Sequence, residues 1–252
     1  MSRLKVALFV MVGLALAAQA AVAQPGPVRL TVMNRVENHS SITDAEGNFG
    51  SETYNYLMIS ASRQLQNSVL GNIFYLNRYS FDDNKMITHI GGVNITKAFS
   101  RRAIFTLGSS HTSNPERGVI RVTPDSDRDR FSSSLIYNFN PKAGGPRYSS
   151  VTSFSTVTDL GEQQTMGEKL KVVFPIGDKW QGGLSYNYTY SLKESEQLTN
   201  QFQGNLTYAF NKRTKLVLGA LFIDNVYEDS AGNSLDDNTV VRLSIYRSIK
   251  TR

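Results

Sequence analysis

Hydrophobic and polar side chains alternate along most of this sequence with a period of two. In the segment WQGGLSYNYTYSL, residues 180–192, the even positions are aromatic or aliphatic apart from one glycine, and the odd positions are Gln, Gly, Ser, Asn and Thr. Because successive side chains of a strand point to opposite faces, this pattern predicts a β-strand with one apolar and one polar side. The apolar side then packs either against a second sheet or against lipid.

Segments of this kind follow one another between turn-rich breaks, and no amphipathic helix interrupts them. The predicted strands cover residues 28–38, 53–62, 69–79, 86–97, 103–113, 129–139, 147–158, 168–176, 179–190, 201–210, 215–227 and 238–249. The breaks between them alternate between short turns and longer polar loops. The predicted strand 69–79 alternates almost equally well in either register, so the sequence leaves undecided which of its faces points outward.

The polar rows favour lipid over a second sheet as the neighbour of the apolar rows. On strand 201–210, Phe202 and Leu206 alternate with Gln203 and Asn205. A row exposed to bulk water would carry more charge, whereas uncharged polar side chains suit a confined interior. Lipid excludes open strand edges, so the sheet must close. The sequence therefore predicts an all-β fold, a single transmembrane, antiparallel, up-and-down β-barrel of about 12 strands.

Aromatic residues lie near the ends of the predicted strands, as expected for belts at the two bilayer interfaces. Those beside short turns are Trp180, Phe139, Tyr148, Phe174 and Phe210, and those beside long loops are Tyr54, Tyr79, Tyr188 and Tyr190. With the alternating strands and sorted loops, this pattern resembles the porin-like class of bacterial outer-membrane β-barrels over nearly the whole chain. The resemblance implies a Gram-negative outer-membrane location, in contact with outer-membrane lipid and lipopolysaccharide. Members of the class usually end on an aromatic residue, but this chain ends in IYRSIKTR.

The N-terminal residues have the features of a secretory signal peptide. Arg3 and Lys5 precede an apolar run, and AVA before Gln24 has the small-x-small form of a cleavage site. The expected organisation is a cleaved signal peptide, residues 1–23, followed by an outer-membrane barrel domain, residues 24–252. The chain has no cysteine, which excludes disulfides, thiolate metal sites and a lipoprotein anchor.

The predicted inner rows are rich in basic residues. These are Arg29, Arg35, Arg78, Arg147, Lys169, Lys171 and Arg242, while Glu37 is the acidic residue assigned to an inner row. Fixed positive charge in a lumen raises the local concentration of anions and biases a pore toward small anionic solutes. Alternatively, these bases neutralise carboxylates from the loops or extend to the rims. The run DSDRDR, residues 125–130, is interpreted as a self-compensating surface loop.

The tetrapeptide HTSN, residues 111–114, is the most suggestive chemical motif. It resembles the active-site motif of outer-membrane phospholipase A and of lipid A deacylases, in which the His is the base and the Ser the nucleophile. The resemblance implies catalytic roles for His111 and Ser113, with Asp129 orienting the imidazole and calcium bound by the intervening loop. That family has a glycine after the motif, where this chain has proline, and its orienting residue is usually Asn. An ordinary histidine at the barrel rim is the competing interpretation.

Three functions therefore stay open. The first is a small solute channel, or a membrane anchor for protein partners in an envelope assembly. The second is the acyl hydrolase, which alone implies a cofactor, calcium. The third is a structural or adhesive surface protein. No metal site is expected outside the hydrolase, and no nucleic-acid-binding surface or phosphate-binding glycine loop is visible.

Overall fold

The structure is a computed structural model that describes residues 27–43, 49–82, 84–113, 128–139, 145–157, 163–193, 195–225 and 238–250. Its strands are β1 (Arg29–Thr43), β2 (Phe49–Gln66), β3 (Val69–Ser80), β4 (Lys85–Ala98), β5 (Ala103–Ser113), β6 (Arg128–Asn138), β7 (Arg147–Val157), β8 (Gln163–Pro175), β9 (Trp180–Ser191), β10 (Glu196–Ala209), β11 (Thr214–Asn225) and β12 (Asn238–Lys250). Each strand pairs antiparallel with the next, and β1 pairs with β12, so the sheet closes into a barrel. Within these ranges no helix is long and apolar enough to cross a membrane. The predicted fold class and strand number are confirmed.

The connections define two ends of the barrel. The turn end holds the first residue of β1, the last residue of β12 and the connections 67–68, 99–102, 139–146, 176–179 and 210–213, and the loop end holds the others. The longest connections, 114–127 and 226–237, belong to the loop end, as predicted, and lie outside the described residues, as does the predicted signal peptide. Connections 81–84 and 192–195 are as short as the turns, because the strands on both sides of them continue further than predicted.

Predicted and observed strand bounds agree best where the strand lies against lipid. β5 has the predicted bounds, whereas β1, β2, β8 and β10 each extend four or five residues beyond theirs at the loop end, and β2 also extends four residues beyond its predicted bound at the turn end. Toward the loop end both faces of a strand meet water or headgroups. The alternation that marks the strand in the sequence then fades, although the backbone ladder continues.

The pairing register settles which face of β3 is outward. Tyr56 of β2 is buried inside the barrel and lies opposite Arg78. Residues directly opposite each other in an antiparallel pair share a face, so the even-numbered residues of β3 point inward. Phe74 therefore faces the lumen, and Ile73 and Tyr75 face outward, where both are exposed.

An apolar band surrounds the barrel. Its most exposed strand residues include Ile73, Leu170 and Leu184, whose exposed fractions are 58%, 57% and 56%. An apolar surface that runs around the whole barrel is far larger than soluble proteins expose to water, so this band requires lipid. At the turn end, the rings of Trp180 and Tyr208 lie 4.7 Å apart in the predicted aromatic belt.

The packed core lies inside the barrel, on one side of the lumen. Met33, Tyr54, Tyr56 and Ile87 are buried against one another there. The prediction that Tyr54 belongs to an outer aromatic belt is wrong. Tyr54 lies opposite Glu37, an inner residue of β1, because it has the same parity as Tyr56 and β2 continues beyond it.

Candidate functional site in the barrel lumen

The basic residues predicted to face the lumen all occupy inner positions of their strands. Glu37 is 5% exposed and lies opposite Arg242 and Tyr54, which fixes the inner faces of β1, β2 and β12. The register, followed around the barrel, places on this face Arg29, Arg35, Arg78, Arg147, Lys169, Lys171 and Arg242. The backbone therefore directs them toward one lumen, and their role in binding stays a prediction.

Two of these bases share a single carboxylate. Glu37 Oε1 lies 3.1 Å from Arg35 Nε and 3.4 Å from Arg242 Nε, and Glu37 Oε2 lies 3.2 Å from His39 Nε2. Because the carboxylate is almost fully buried, water and salt screen these ion pairs only weakly. Glu37 thus removes part of the positive charge from this side of the lumen.

Aromatic rings hold guanidinium groups on the same side. Arg35 Cζ lies 4.5 Å from the ring centroid of Tyr56, and Arg78 Cζ lies 4.9 Å from that of Tyr54. The Tyr54 hydroxyl donates a hydrogen bond to Glu52. Cation–π contacts of this kind stabilise a desolvated cation by about 2 kcal/mol. The inner face of β12 and β1–β4, here the packed wall, is therefore filled by side chains.

The inner face of β6, β7 and β8, here the open wall, is accessible to water. Arg130, Ser132, Arg147 and Lys171 face inward and are nevertheless exposed, and Lys169 is half-buried among them. An exposed inward side chain requires unfilled space beside it. The other inner residues of this wall are mostly small and polar, namely Ser134, Ser149, Ser153, Ser155, Thr165 and Gly167. The water-accessible part of the lumen therefore runs along the open wall.

The bases of the open wall are not neutralised within the described part of the chain. Arg130, Arg147, Lys169 and Lys171 make no ion pair with any described residue. The acidic residues in the described parts of β5–β9 are Asp129 and Glu168, and both face outward. The open wall is thus a strip of uncompensated positive charge beside water.

A second basic region lies at the turn end of the lumen. A cavity of about 490 Å³ is lined there by Arg29, Lys212, Arg213 and Lys215, together with Thr31, Tyr246 and Ser248. This lining contains no carboxylate. β12 lies between β11 and β1. The bases of turn 210–213 and β11 therefore lie near Arg29 only because closure of the sheet pairs β12 with β1.

The residues proposed for hydrolysis lie on the outer surface at the loop end. His111 Nδ1 lies 2.9 Å from Asp129 Oδ1, the contact predicted between a base and its orienting residue. Ser113 is on the same outer face as His111, but its hydroxyl makes no hydrogen bond with the described residues. On β4, the residue opposite Ser113 is His89, whose Nδ1 lies 2.6 Å from the Tyr75 hydroxyl.

Known structures that resemble this one belong to the outer membrane. No protein-family model and no curated protein matches the sequence. The COG4313 outer membrane channel from Pseudomonas putida F1 has a TM-score of 0.63 at 13% identity, covering 90% of this chain and 97% of that one. The KdgM porin in complex with oligogalacturonate has a TM-score of 0.55 at 11% identity, covering 87% and 99%. The NanC porin has a TM-score of 0.55 at 9% identity, covering 86% and 98%.

The fold is that of an outer-membrane β-barrel. Likeness at such low identity concerns architecture, and the apolar exterior supplies the independent physical reason for a bilayer. The predicted location of the barrel in the outer membrane is thereby confirmed.

Sequence reasoning missed two basic features of the barrel. Arg130 lies in the run DSDRDR, whose interpretation as a surface loop is wrong for Arg128–Arg130, because β6 begins at Arg128. The predicted strand 129–139 is right for Asp129 and Arg130, but the inner position of Arg130 was not recognised. Its position between the outward Asp129 and Phe131 was the signal that it faces inward. The predicted strands leave residues 211–214 as a short turn, but nothing local shows that Lys212 and Arg213 lie beside Arg29 on the far side of β12.

Proposed function

We propose that this outer-membrane barrel is a channel for small anionic solutes. The observation that carries the proposal is the open wall, where Arg130, Arg147, Lys169 and Lys171 stand beside water without a described carboxylate. Fixed positive charge in a confined lumen concentrates anions. The surrounding hydroxyl groups offer hydrogen bonds that replace part of the hydration of a passing solute.

The packed wall makes the passage narrow. Twelve-stranded barrels lie between the small barrels that side chains fill and the wide water-filled porins. With one side of the lumen occupied by the cluster around Tyr54, a solute passes along the open wall and stays close to its bases. The KdgM porin of similar fold is described in complex with oligogalacturonate, a chain of sugar acids. Small organic acids and sugar acids are therefore the first solutes to test.

Planar-bilayer recordings of the purified barrel test the proposal. In a KCl gradient, we expect a reversal potential with the sign of chloride preference. The double variant Lys169→Gln with Lys171→Gln should move that potential toward zero. Lys97→Gln, which removes an exposed base from the outer face of β4, is the matched control and should leave it unchanged. An absence of conductance, or a preference for potassium, would contradict the proposal.

We propose acyl-ester hydrolysis at the outer surface as a second candidate function, on the strength of the contact between His111 and Asp129. The imidazole Nε2 would take the proton of Ser113 as the hydroxyl attacks the ester carbonyl, and would pass it to the lipid alcohol as the ester C–O bond breaks. Water would then hydrolyse the acyl-serine, which releases the fatty acid and restores the Ser113 hydroxyl. Loop 114–127, where calcium is expected, lies outside the described residues. Elsewhere in the described chain no group of three His, Cys, Asp or Glu residues is arranged to hold a metal.

Fatty-acid release from phospholipid vesicles, with calcium present, tests this second candidate. Ser113→Ala should abolish release, because the hydroxyl is the proposed nucleophile. Thr112→Ala, the neighbouring residue on the inner face of β5, controls for damage to the strand. Equal turnover by both variants and the unaltered barrel, or no turnover by any, would exclude hydrolysis by Ser113.

A further inference from the structure

Four adjacent strands place a polar side chain on the outer surface of the barrel. These side chains, here the polar patch, are Ser109 of β5, Ser133 of β6, Thr152 of β7 and Glu168 of β8. They share the outer rows of their strands with the exposed residues Leu107, Leu135, Phe154 and Leu170. The patch therefore faces lipid and not the lumen.

The strand register places Ser109 and Glu168 at one depth in the bilayer. Ser109 shares a row of opposed residues with Phe131, Thr156 and Gln164. In a barrel whose strands tilt by about 40°, such a row rises toward the loop end by about 3 Å per strand, hence by about 9 Å over three strands. Glu168 lies four residues nearer the turn end than Gln164, which lowers it by about 10 Å.

The other two members of the patch lie at nearly the same depth. Ser133 shares a row with Met166, two residues before Glu168, and Thr152 lies directly opposite Glu168. By the same geometry both are within about 3 Å of its depth. Along β8, the outer neighbours of Glu168 are Met166 and Leu170. A carboxyl group thus lies in the middle of the apolar band.

No member of the patch has a polar partner within the described part of the barrel. Glu168 makes no hydrogen bond or ion pair there, and the same is true of the hydroxyls of Ser109, Ser133 and Thr152. Acyl chains offer neither donors nor acceptors, so polar groups on a lipid-facing surface lower the stability of a barrel. A patch on four neighbouring strands indicates that something other than acyl chains covers it.

The opposite wall of the barrel has the usual lipid-facing character. At comparable depth, β11 and β12 present Ala220 and Leu243, and β1 presents Val36. The polar residues near this depth on β1 and β2 are the uncharged amides Asn34, Asn38 and Asn55. A carboxyl group at this depth, with hydroxyls on the three preceding strands, is thus a property of one side of the barrel.

We propose that the polar patch is the contact surface between two copies of this barrel, related by a twofold axis along the membrane normal. Such an axis between β6 and β7 exchanges β5 with β8 and leaves depth unchanged. Beside the axis it places Thr152 of one copy opposite Ser133 of the other. One strand further out, where the two barrels curve apart, it directs the longer side chain of Glu168 toward Ser109 of the other copy. A carboxyl group accepts a hydrogen bond from a hydroxyl, and hydroxyls both donate and accept. The patch is therefore complementary to itself.

The absence of cysteine from the chain gives a direct test in native membranes. Ser133→Cys puts a thiol beside the proposed axis, and mild oxidation should yield a disulfide-linked dimer on a non-reducing gel. The matched control is Leu243→Cys, an exposed outward residue of β12, the strand diametrically opposite β6. Equal dimer from both variants, no dimer from Ser133→Cys, or its linkage to a different protein would overturn the proposal.

Substitutions of Glu168 test the chemistry of the contact. In the Ser133→Cys background, we expect Glu168→Leu to lower the dimer yield severalfold, because leucine cannot accept the hydrogen bond. Glu168→Gln keeps an acceptor and should hold the yield within about twofold. Leucine on a lipid-facing surface does not impair folding, and heat-dependent gel migration of the monomer checks this. Equal yields from both substitutions would overturn the assigned role of the carboxyl group.

Discussion

Single residues decide how charge is distributed in the lumen. Arg35 and Arg242 share the buried carboxylate of Glu37, whereas Lys169 and Lys171 have no anionic partner among the described residues. The inner bases are therefore not equivalent, although they have the same parity in the sequence. In the proposed channel, a passing anion would meet uncompensated charge mainly on the open wall.

Replacement of Glu37 should reveal this division. Glu37→Gln leaves two half-buried guanidinium groups without their carboxylate. Breaking a fully buried pair costs about 3 to 5 kcal/mol, and the partial exposure of these arginines lowers the cost below that range. We expect a lower urea midpoint for unfolding in detergent and, in planar bilayers, a stronger anion preference. Asp178→Asn, in the exposed turn 176–179, is the control and should change neither. An unaltered midpoint would show that the pairs with Glu37 do not stabilise the barrel.

Parity placed the predicted bases on the inner face because the direction of a side chain is a local property of a strand. Their pairing was not predictable in the same way. Glu37 and Arg242 lie near opposite ends of the sequence and meet only because β1 pairs with β12. The wrong assignment of Tyr54 to the outer aromatic belt has the same cause. Its ring packs inside the barrel against residues of several strands, and the sequence of β2 alone does not show those neighbours.

Among the strands, β8 departs from its prediction with the largest consequence. The alternation suggested a start at 168, at the edge of the bilayer, whereas β8 begins at Gln163 and places Glu168 in the middle of the apolar band. β3 has two acceptable registers in the sequence, and only its pairing with β2 selects one. The depth of a residue in the bilayer and the register of a strand are set by its pairing with neighbouring strands, so the sequence of one strand determines neither.

The hairpin of β8 and β9 depends on a close contact at Gly182. A Cβ atom at this position would lie 2.5 Å from the ring of Phe174, which covers the glycine from the opposite strand. Gly182→Ala should therefore displace the end of the ring toward lipid and make the barrel less stable to heat than Gly91→Ala, by up to about 1 kcal/mol, the low end of the cost of overpacking. At Gly91, which is also on the outer face, an added Cβ atom would have no neighbour within 4 Å. Gly91→Ala is therefore the control and should not lower the stability of the barrel. Equal heat stability of the two variants would contradict the contact.

At the scale of the whole molecule, closure of the sheet is the central feature. A closed barrel resists dodecyl sulfate until heated, because no strand edge is available from which unfolding can start. We expect the unheated protein to migrate faster on a gel than the boiled protein. A single band of unfolded mobility at every temperature would contradict closure.

The charge of the lumen gives a second prediction at this scale. At a fixed ratio of KCl concentrations, anion preference should weaken as the mean concentration rises from about 0.1 M to about 1 M, since the Debye length falls from about 10 Å to about 3 Å. Reversal potentials measured at both concentrations check this. The variant that lacks Lys169 and Lys171 should show a smaller change. A preference independent of salt would exclude long-range charge as its origin.

The sequence by itself determined the barrel, the strand number and the face of almost every strand. It did so because lipid outside and a confined polar lumen inside impose an alternation that is written into each strand separately. Only the tertiary structure decided which bases are neutralised, where the water-accessible side of the lumen lies and how deep Glu168 sits. Those properties depend on which residues lie opposite one another in the closed barrel, and the sequence of an individual strand does not specify that arrangement.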